Sequence, residues 1–271
     1  MSTRPSGPVP EITSLTRCWL IQQRVLKALV LREMLTRYGR HNIGFLWLFV
    51  EPMLFTLGVT AIWTATRSVH GSNLPIVAFA ITGYSAVLLW RNMPGRCIGA
   101  LAPNLSLLYH RNVRPLDIYL SRVILEAAGA TTSFVFLALV FTFLGKLDPP
   151  ENVLQIFGGW LMLAWFGGSL ALFLGALSET SETVEKLWHP LSYLMFPLSG
   201  AAFLVDALPK AAQDVILWLP MVHGTEFVRE GYFGSRITAH YDMRYMALCN
   251  TTLTLLGLAQ VAKVSRTVIP E

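Results

Sequence analysis

The sequence has little charge. Of its 271 residues only 14% are Asp, Glu, Lys or Arg, while 54% are hydrophobic, and the mean hydropathy is +0.51. A soluble domain carries roughly 25% charged residues, so too little charge is present to cover a water-facing surface. Cysteine is scarce as well. Cys18, Cys97 and Cys249 are far apart and odd in number, which excludes a CxxC pair, a disulfide framework and a thiolate metal cluster. There is no G-x-x-x-x-G-K-[ST] phosphate loop, no HExxH and no G-x-S-x-G, so no nucleotide site, metal site or catalytic residue is assigned. The six histidines are scattered. No cleavable signal peptide is visible. Residues 1–14, "MSTRPSGPVPEITS", are polar and proline-rich and read as a flexible tail, so membrane insertion is expected to use internal segments. There is no repeat of 20 to 50 residues and no heptad run.

Long apolar runs are what the chain has instead. A bilayer crossing needs about 20 mostly apolar helical residues. Six stretches qualify as expected spans: Ile43 to Thr66, Leu74 to Trp90, Val123 to Gly145, Asn152 to Ser178, Leu187 to Val205, and Tyr245 to Ala262. Lys and Arg are unevenly divided among the connections. With the N-terminus inside, 15 of the 21 basic residues fall on the inner side and 6 on the outer. The positive-inside bias favours this orientation, with both termini cytoplasmic. The expected class is an all-α membrane protein. One membrane domain covers 15–266, and 267–271 forms a short cytoplasmic tail.

Four stretches depart from simple spans. Leu15 to Tyr38 mixes Trp19, Leu26, Leu29 and Val30 with Arg17, Arg24, Arg32 and Arg37. It reads as a basic amphipathic helix on the inner leaflet, or else as an ordinary cytoplasmic helix. The inner loop Arg91 to Arg122 carries five arginines and is far longer than a connection requires. It reads as a docking surface, or as a basic loop held to anionic lipid. Within it, Arg114-Pro115-Leu116-Asp117 marks a helix start. Asp206 to Arg244 holds two short helical pieces flanked by Pro209, Pro220 and Gly231, which suit an outer re-entrant hairpin or an exposed loop. The fourth is Glu51-Pro52, an acid and a helix breaker inside the first run. Intramembrane carboxylates usually face a bundle interior or an aqueous path, so Glu51 belongs at a subunit seam or passage, or serves as partner to a buried donor. Glu126 follows Arg122 by four residues, so an i,i+4 pair is expected there.

These marks occur together: "RY" followed by "NIGFLWLFVEP" (42–52), "LLYHRNVRPLD" (107–117) and "HGTEFVREGYFG" (223–234). In order and spacing, over about 15–266, they resemble the membrane subunits of type-2 ABC exporters. Within that group they resemble the permeases that export capsular polysaccharide across the inner membrane of Gram-negative bacteria. The resemblance implies six transmembrane helices, an N-terminal interfacial amphipathic helix and short outer gate helices before the last span. It implies a homodimer working with two copies of a separate ATPase subunit, which binds ATP and Mg. It also implies a cytoplasmic coupling helix between spans two and three, placed here over Asn104, Leu105, Ser106, Leu107 and Leu108, with Arg111. A lipid-linked capsule glycan is the implied cargo, periplasmic and outer-membrane export proteins are implied partners, and nucleic acid is not. One position departs from the pattern. The Asn-Pro often seen before the second outer helix is Leu219-Pro220 here.

A glycan cargo gives aromatics a role, since sugar rings have apolar faces. Trp47, Trp63, Tyr84, Trp165 and Tyr193 are the candidates for the passage. Trp160, Trp188 and Trp218 are available too, and many of the eight should instead be interface anchors, since Trp and Tyr are enriched at both membrane faces. Alternative readings are the same family carrying O-antigen, teichoic acid or a lipid-linked drug, and an ATP-independent secondary transporter. The last predicts inverted repeats and more intramembrane ionisable groups, which are not visible.

Overall fold

The computed structural model describes residues 15–39, 42–66, 74–109 and 113–268. Among these residues every regular element is helical. The order is α1 (Leu15–Tyr38), α2 (Asn42–Thr66), α3 (Ile76–Cys97), α4 (Leu105–Leu108), α5 (Pro115–Phe143), α6 (Val153–Ser178), α7 (Glu182–Leu198), α8 (Lys210–Ile216), α9 (Pro220–Phe233) and α10 (Met243–Val268).

Five of these helices, α2, α3, α5, α6 and α10, are long and apolar enough to cross a membrane. They coincide with five of the six expected runs. The fifth expected run corresponds to α7, which has 17 residues, carries Glu182 and Glu185 in its first turn, and contains Pro190 and Pro197. It ends before Gly200, whose φ of +79° suits a residue without Cβ. Two boundaries also move. α3 continues past Trp90 through Arg91 and Arg96. α5 begins at Pro115, where the Asp117 carboxylate accepts the Arg114 N–H at 2.9 Å, as the proline and acid at that start require.

α3 is the hub. Its face from Ala78 to Met93 is almost wholly buried, and it packs against α2, α5, α6, α7 and α9. The close approach of α6 depends on a small residue. A Cβ at Gly167 would lie 2.7 Å from Trp90 Cα, so α3 and α6 meet backbone to backbone, as membrane helices do at small residues. In α2, Pro52 removes a helix hydrogen bond. Beyond it Thr56, Thr60 and Thr64 each return a hydroxyl bond to the carbonyl four residues earlier, a ladder that favours bending. α1 packs across the ends of α5 and α2. Its Trp19, Leu20, Leu31 and Leu35 remain exposed.

Candidate functional site

Three groups of residues stand out along the bundle. The first is at the end where α1 crosses. Six charged side chains from four helices converge there: Glu33 and Arg37 of α1, Glu51 of α2, Arg96 of α3, and Arg122 and Glu126 of α5. Glu126 pairs with Arg37 and, at 3.3 Å, with Arg96. Arg96 also holds Glu51 at 3.2 Å. Arg122 pairs with Glu33 at 3.2 Å and donates to the Arg96 carbonyl at 2.6 Å. The expected Arg122–Glu126 pair is therefore not the arrangement. Each residue of α5 finds its partner on another helix, because α1 brings its own acid and base to the same end. Glu51 gains a donor, yet its side chain stays half exposed on the single chain.

The segment 98–109 folds against this cluster. Its Gly99 N–H donates to Ser178 Oγ at 3.1 Å and its Leu101 N–H to Glu179 at 3.1 Å, at the end of α6. Asn104 accepts from Arg32 of α1 at 2.5 Å and donates to the Ala100 carbonyl at 2.8 Å. Of the residues placed on the coupling helix, Asn104 and Leu108 are buried, Leu107 is half-buried, and Leu105 and Ser106 face outward, as does Tyr109. Arg111 lies outside the described residues. The short helix thus has an inner side tied to α1 and α6 and an exposed outer side.

The second group is an aromatic face made by α2, α3 and α7. Tyr84 is at its centre, with ring centroids 5.1 Å from Trp63, 5.9 Å from Phe55 and 5.2 Å from Phe196. Phe55 meets Phe196 edge to face at 5.7 Å. Arg91 lies 4.7 Å above the Tyr193 ring and donates to the Ser192 carbonyl at 3.2 Å. A cation over a ring face is attracted by its quadrupole. Three of the five candidate aromatics, Trp63, Tyr84 and Tyr193, therefore share one face. Trp47 is exposed nearer the start of α2. Trp165 belongs elsewhere, donating to Thr254 of α10 at 2.9 Å. Phe55, Phe196 and Arg91 were not singled out from the sequence. A signal existed for Phe55, because it follows Glu51 by four residues and lies on the same helix face.

The third group is the hairpin of α8 and α9 at the opposite end. α9 starts with Pro220 in its first turn, so Leu219-Pro220 serves as a helix start without the asparagine. Arg229, fully buried, donates to the carbonyls of Gly200 at 2.5 Å, Ala201 at 2.6 Å and Phe203 at 2.5 Å, and lies 3.9 Å above the Phe79 ring. Glu226, also buried, accepts from the N–H groups of His240 at 3.3 Å and Val205 at 3.5 Å. Burial pushes its carboxyl above the usual range, and Arg229 pulls it back. His223 is pinned at both ring nitrogens. Nδ1 accepts the Asp242 N–H at 2.8 Å, so Nε2 carries the proton and donates to the Leu217 carbonyl at 2.8 Å. Burial lowers its pKa. These bonds hold the turn after α7, the hairpin and the start of α10 as one unit.

Comparison with known proteins identifies the family. The ABC-2 type transporter family matches residues 24–233. The chain is 46% identical to the capsule polysaccharide export inner-membrane protein CtrC of Neisseria meningitidis serogroup B over 259 residues, 96% of this chain and 98% of that one. It is 42% identical to the capsule polysaccharide export inner-membrane protein BexB of Haemophilus influenzae, again over 96% and 98%. The polysialic acid transport protein KpsM of Escherichia coli is 26% identical over 88% of this chain and 93% of its own. With such matches spanning nearly all of its length, the chain belongs to the ABC-2 type transporter family of membrane proteins.

Proposed function

We propose that this chain is the membrane-spanning subunit of an ATP-driven exporter that carries capsular polysaccharide across a bacterial inner membrane. It works as a homodimer with a separate ATPase subunit and has no nucleotide site of its own. The single observation that carries the reading is the 46% identity, over almost the whole length of both chains, to an inner-membrane protein of capsule export.

The geometry supports a division of labour. The chain crosses six times, with α7 as the fifth span. α1 lies along the inner leaflet, with both termini cytoplasmic, as the basic inner side favours. The outward side of 102–109 receives the ATPase. Motion imposed there reaches α1 through Arg32–Asn104 and the α6–α7 corner through Glu179–Leu101. The aromatic face of α2, α3 and α7 lines the passage, where ring faces stack on sugars and Arg91 offers a cation. Glu51, half exposed beside Arg96, lies one turn before Phe55 on α2. The hairpin of α8 and α9 closes the outer end.

Copurification tests this. Coexpressed with its ATPase, the chain is expected to retain it, and glycan is expected to stimulate hydrolysis in proteoliposomes. The chain alone is expected to hydrolyse no ATP. Hydrolysis by the isolated chain above background would overturn the division between subunits.

A further inference from the structure

A groove of about 430 Å³ lies between α5 and α6 at the end carrying the α8–α9 hairpin. It belongs to none of the three groups above. Its floor is the stacked pair Phe134 and Trp160, with centroids 4.6 Å apart, and Pro149 and Pro150 border it at the α5–α6 turn. The polar groups of Trp160, Thr131 and Tyr232 along it are already engaged. Trp160 Nε1 donates to Thr131 Oγ1 at 2.8 Å, Thr131 donates to Ala127, and the Tyr232 hydroxyl donates to the Asp148 carbonyl at 2.6 Å. A sugar hydroxyl would find no partner on these atoms, whereas a hydrocarbon chain needs none.

Length and charge identify the occupant. Along α5 the groove runs from Thr131 to Thr142, roughly 16 Å at 1.5 Å per residue. That is about half of a hydrocarbon core roughly 30 Å thick, the depth of one leaflet. At its mouth a smaller polar recess shares Pro149 and Tyr232 with the groove and is lined by Asp148, Glu151 and Arg236. Asp148 and Arg236 are exposed and paired with each other at 3.0 Å, and an exposed pair is worth only about 0–1 kcal/mol, so the two charges of a headgroup can replace it. Two carboxylates and one guanidinium complement a headgroup with one ammonium and one phosphate. We infer that the groove binds one zwitterionic, amine-bearing phospholipid, with an acyl chain along Phe134 and Trp160, the ammonium at Asp148 and Glu151, and the phosphate at Arg236. Assignment to the outer leaflet rests on the orientation proposed above; the binding itself does not.

The test uses the purified full-length chain without ATPase or glycan, so its outcome is independent of the export reading. Native mass spectrometry in detergent measures retention of added phosphatidylethanolamine and phosphatidylglycerol. One phosphatidylethanolamine per chain is expected to survive where phosphatidylglycerol is lost. Ala138→Trp fills the groove, and Leu139→Trp does so from its exposed lip; each is expected to reduce retention at least fivefold with helical content unchanged. Asp148→Asn is expected to lower the preference for the amine headgroup at least threefold while retention of some lipid continues. Equal retention of both lipids by the wild type overturns the headgroup assignment. Unchanged retention in both tryptophan variants overturns the site. So does conversion of a dimer to monomer by those variants with lipid unaffected, which would make the groove a contact between two copies.

Discussion

The guanidinium of Arg96 holds the carboxylate of Glu51 at 3.2 Å, linking the last turn of α3 to the proline-bearing turn of α2. The acid inside the first apolar run therefore has a donor, and the donor comes from a helix that continues beyond its own apolar stretch. The same guanidinium reaches Glu126, which is buried where Glu51 is half exposed.

That difference orders two substitutions. Removing one partner of a buried ion pair costs about 3–5 kcal/mol, whereas exposed pairs contribute roughly 0–1 kcal/mol. Glu126→Gln takes away the carboxylate shared by Arg37 and Arg96 and is expected to lower the melting midpoint in detergent and the abundance in the membrane. Glu51→Gln is expected to change both little. Surface glycan then isolates the transport role of Glu51. Glu51→Leu should insert at normal abundance and abolish export, with Glu51→Gln intermediate. If Glu51→Leu leaves export and abundance untouched, Glu51 does not face the passage.

The segment 98–109 has two sides with separable effects. Leu105→Asp and Tyr109→Ala alter its exposed side and are expected to reduce copurification of the ATPase at least tenfold without lowering abundance. Arg32→Ala removes the donor to Asn104 and leaves that side intact. ATPase should still copurify with Arg32→Ala, while glycan no longer stimulates hydrolysis. Loss of copurification in Arg32→Ala as severe as in Leu105→Asp would show that α1 itself carries the contact.

Much of the helical layout was legible because a membrane span needs one property, a long apolar run, which is written locally. The errors arise where distant residues decide. α3 runs through Arg91 and Arg96 because Tyr193 and Ser192 of α7 receive the first, and Glu51 and Glu126 the second. Trp90 marked the end of the apolar run, and nothing nearby revealed those partners. Glu126 was matched to Arg122 by spacing, but Arg37, 89 residues away, occupies it. The resemblance to polysaccharide permeases gives the aromatics a role as a sugar-binding wall. Which rings share a face depended on how α7 approaches α2 and α3, so Trp165 was grouped with residues it does not join.

Acid should loosen the outer hairpin. His223 is held neutral, with Nδ1 accepting the Asp242 N–H, so protonation places a proton against a donor. A histidine with a depressed pKa contributes stability that is present above its free value of about 6.5 and is lost as pH falls below it. The contribution of this one group to the unfolding free energy is expected to be flat from pH 8 to 7 and to decline below about 6.5, by at most about 1.4 kcal/mol per pH unit. His223→Gln should start lower and remove that part of the decline. An identical slope in His223→Gln would assign the decline to other groups.

The last prediction concerns Arg229, whose charge is buried with little direct help from an acid. Its nearest carboxylate oxygen, on Glu226, is 4.0 Å away, whereas three carbonyls of the turn after α7 are at 2.5 to 2.6 Å. A planar guanidinium reaches several carbonyls at once; a lysine ammonium cannot reproduce that fork. Arg229→Lys should therefore leave buried carbonyls without donors, at about 1–3 kcal/mol for each such group, and abundance and export should fall together. Glu226→Gln keeps an acceptor for only one of Val205 and His240, whose N–H groups reach different carboxylate oxygens, and sets an amide donor against the other. This change is expected to cost about 1–3 kcal/mol for the one N–H it leaves unsatisfied, less than Arg229→Lys, which strands more than one carbonyl. Gly83→Ala offers an independent check, because its Cβ would lie 2.5 Å from Arg229 Nη2 and 2.6 Å from the Ala201 carbonyl. It should resemble Arg229→Lys without altering any charge. If Glu226→Gln proves as damaging as Arg229→Lys while Gly83→Ala is mild, the outer turn is held by the ion pair and not by the carbonyl clamp.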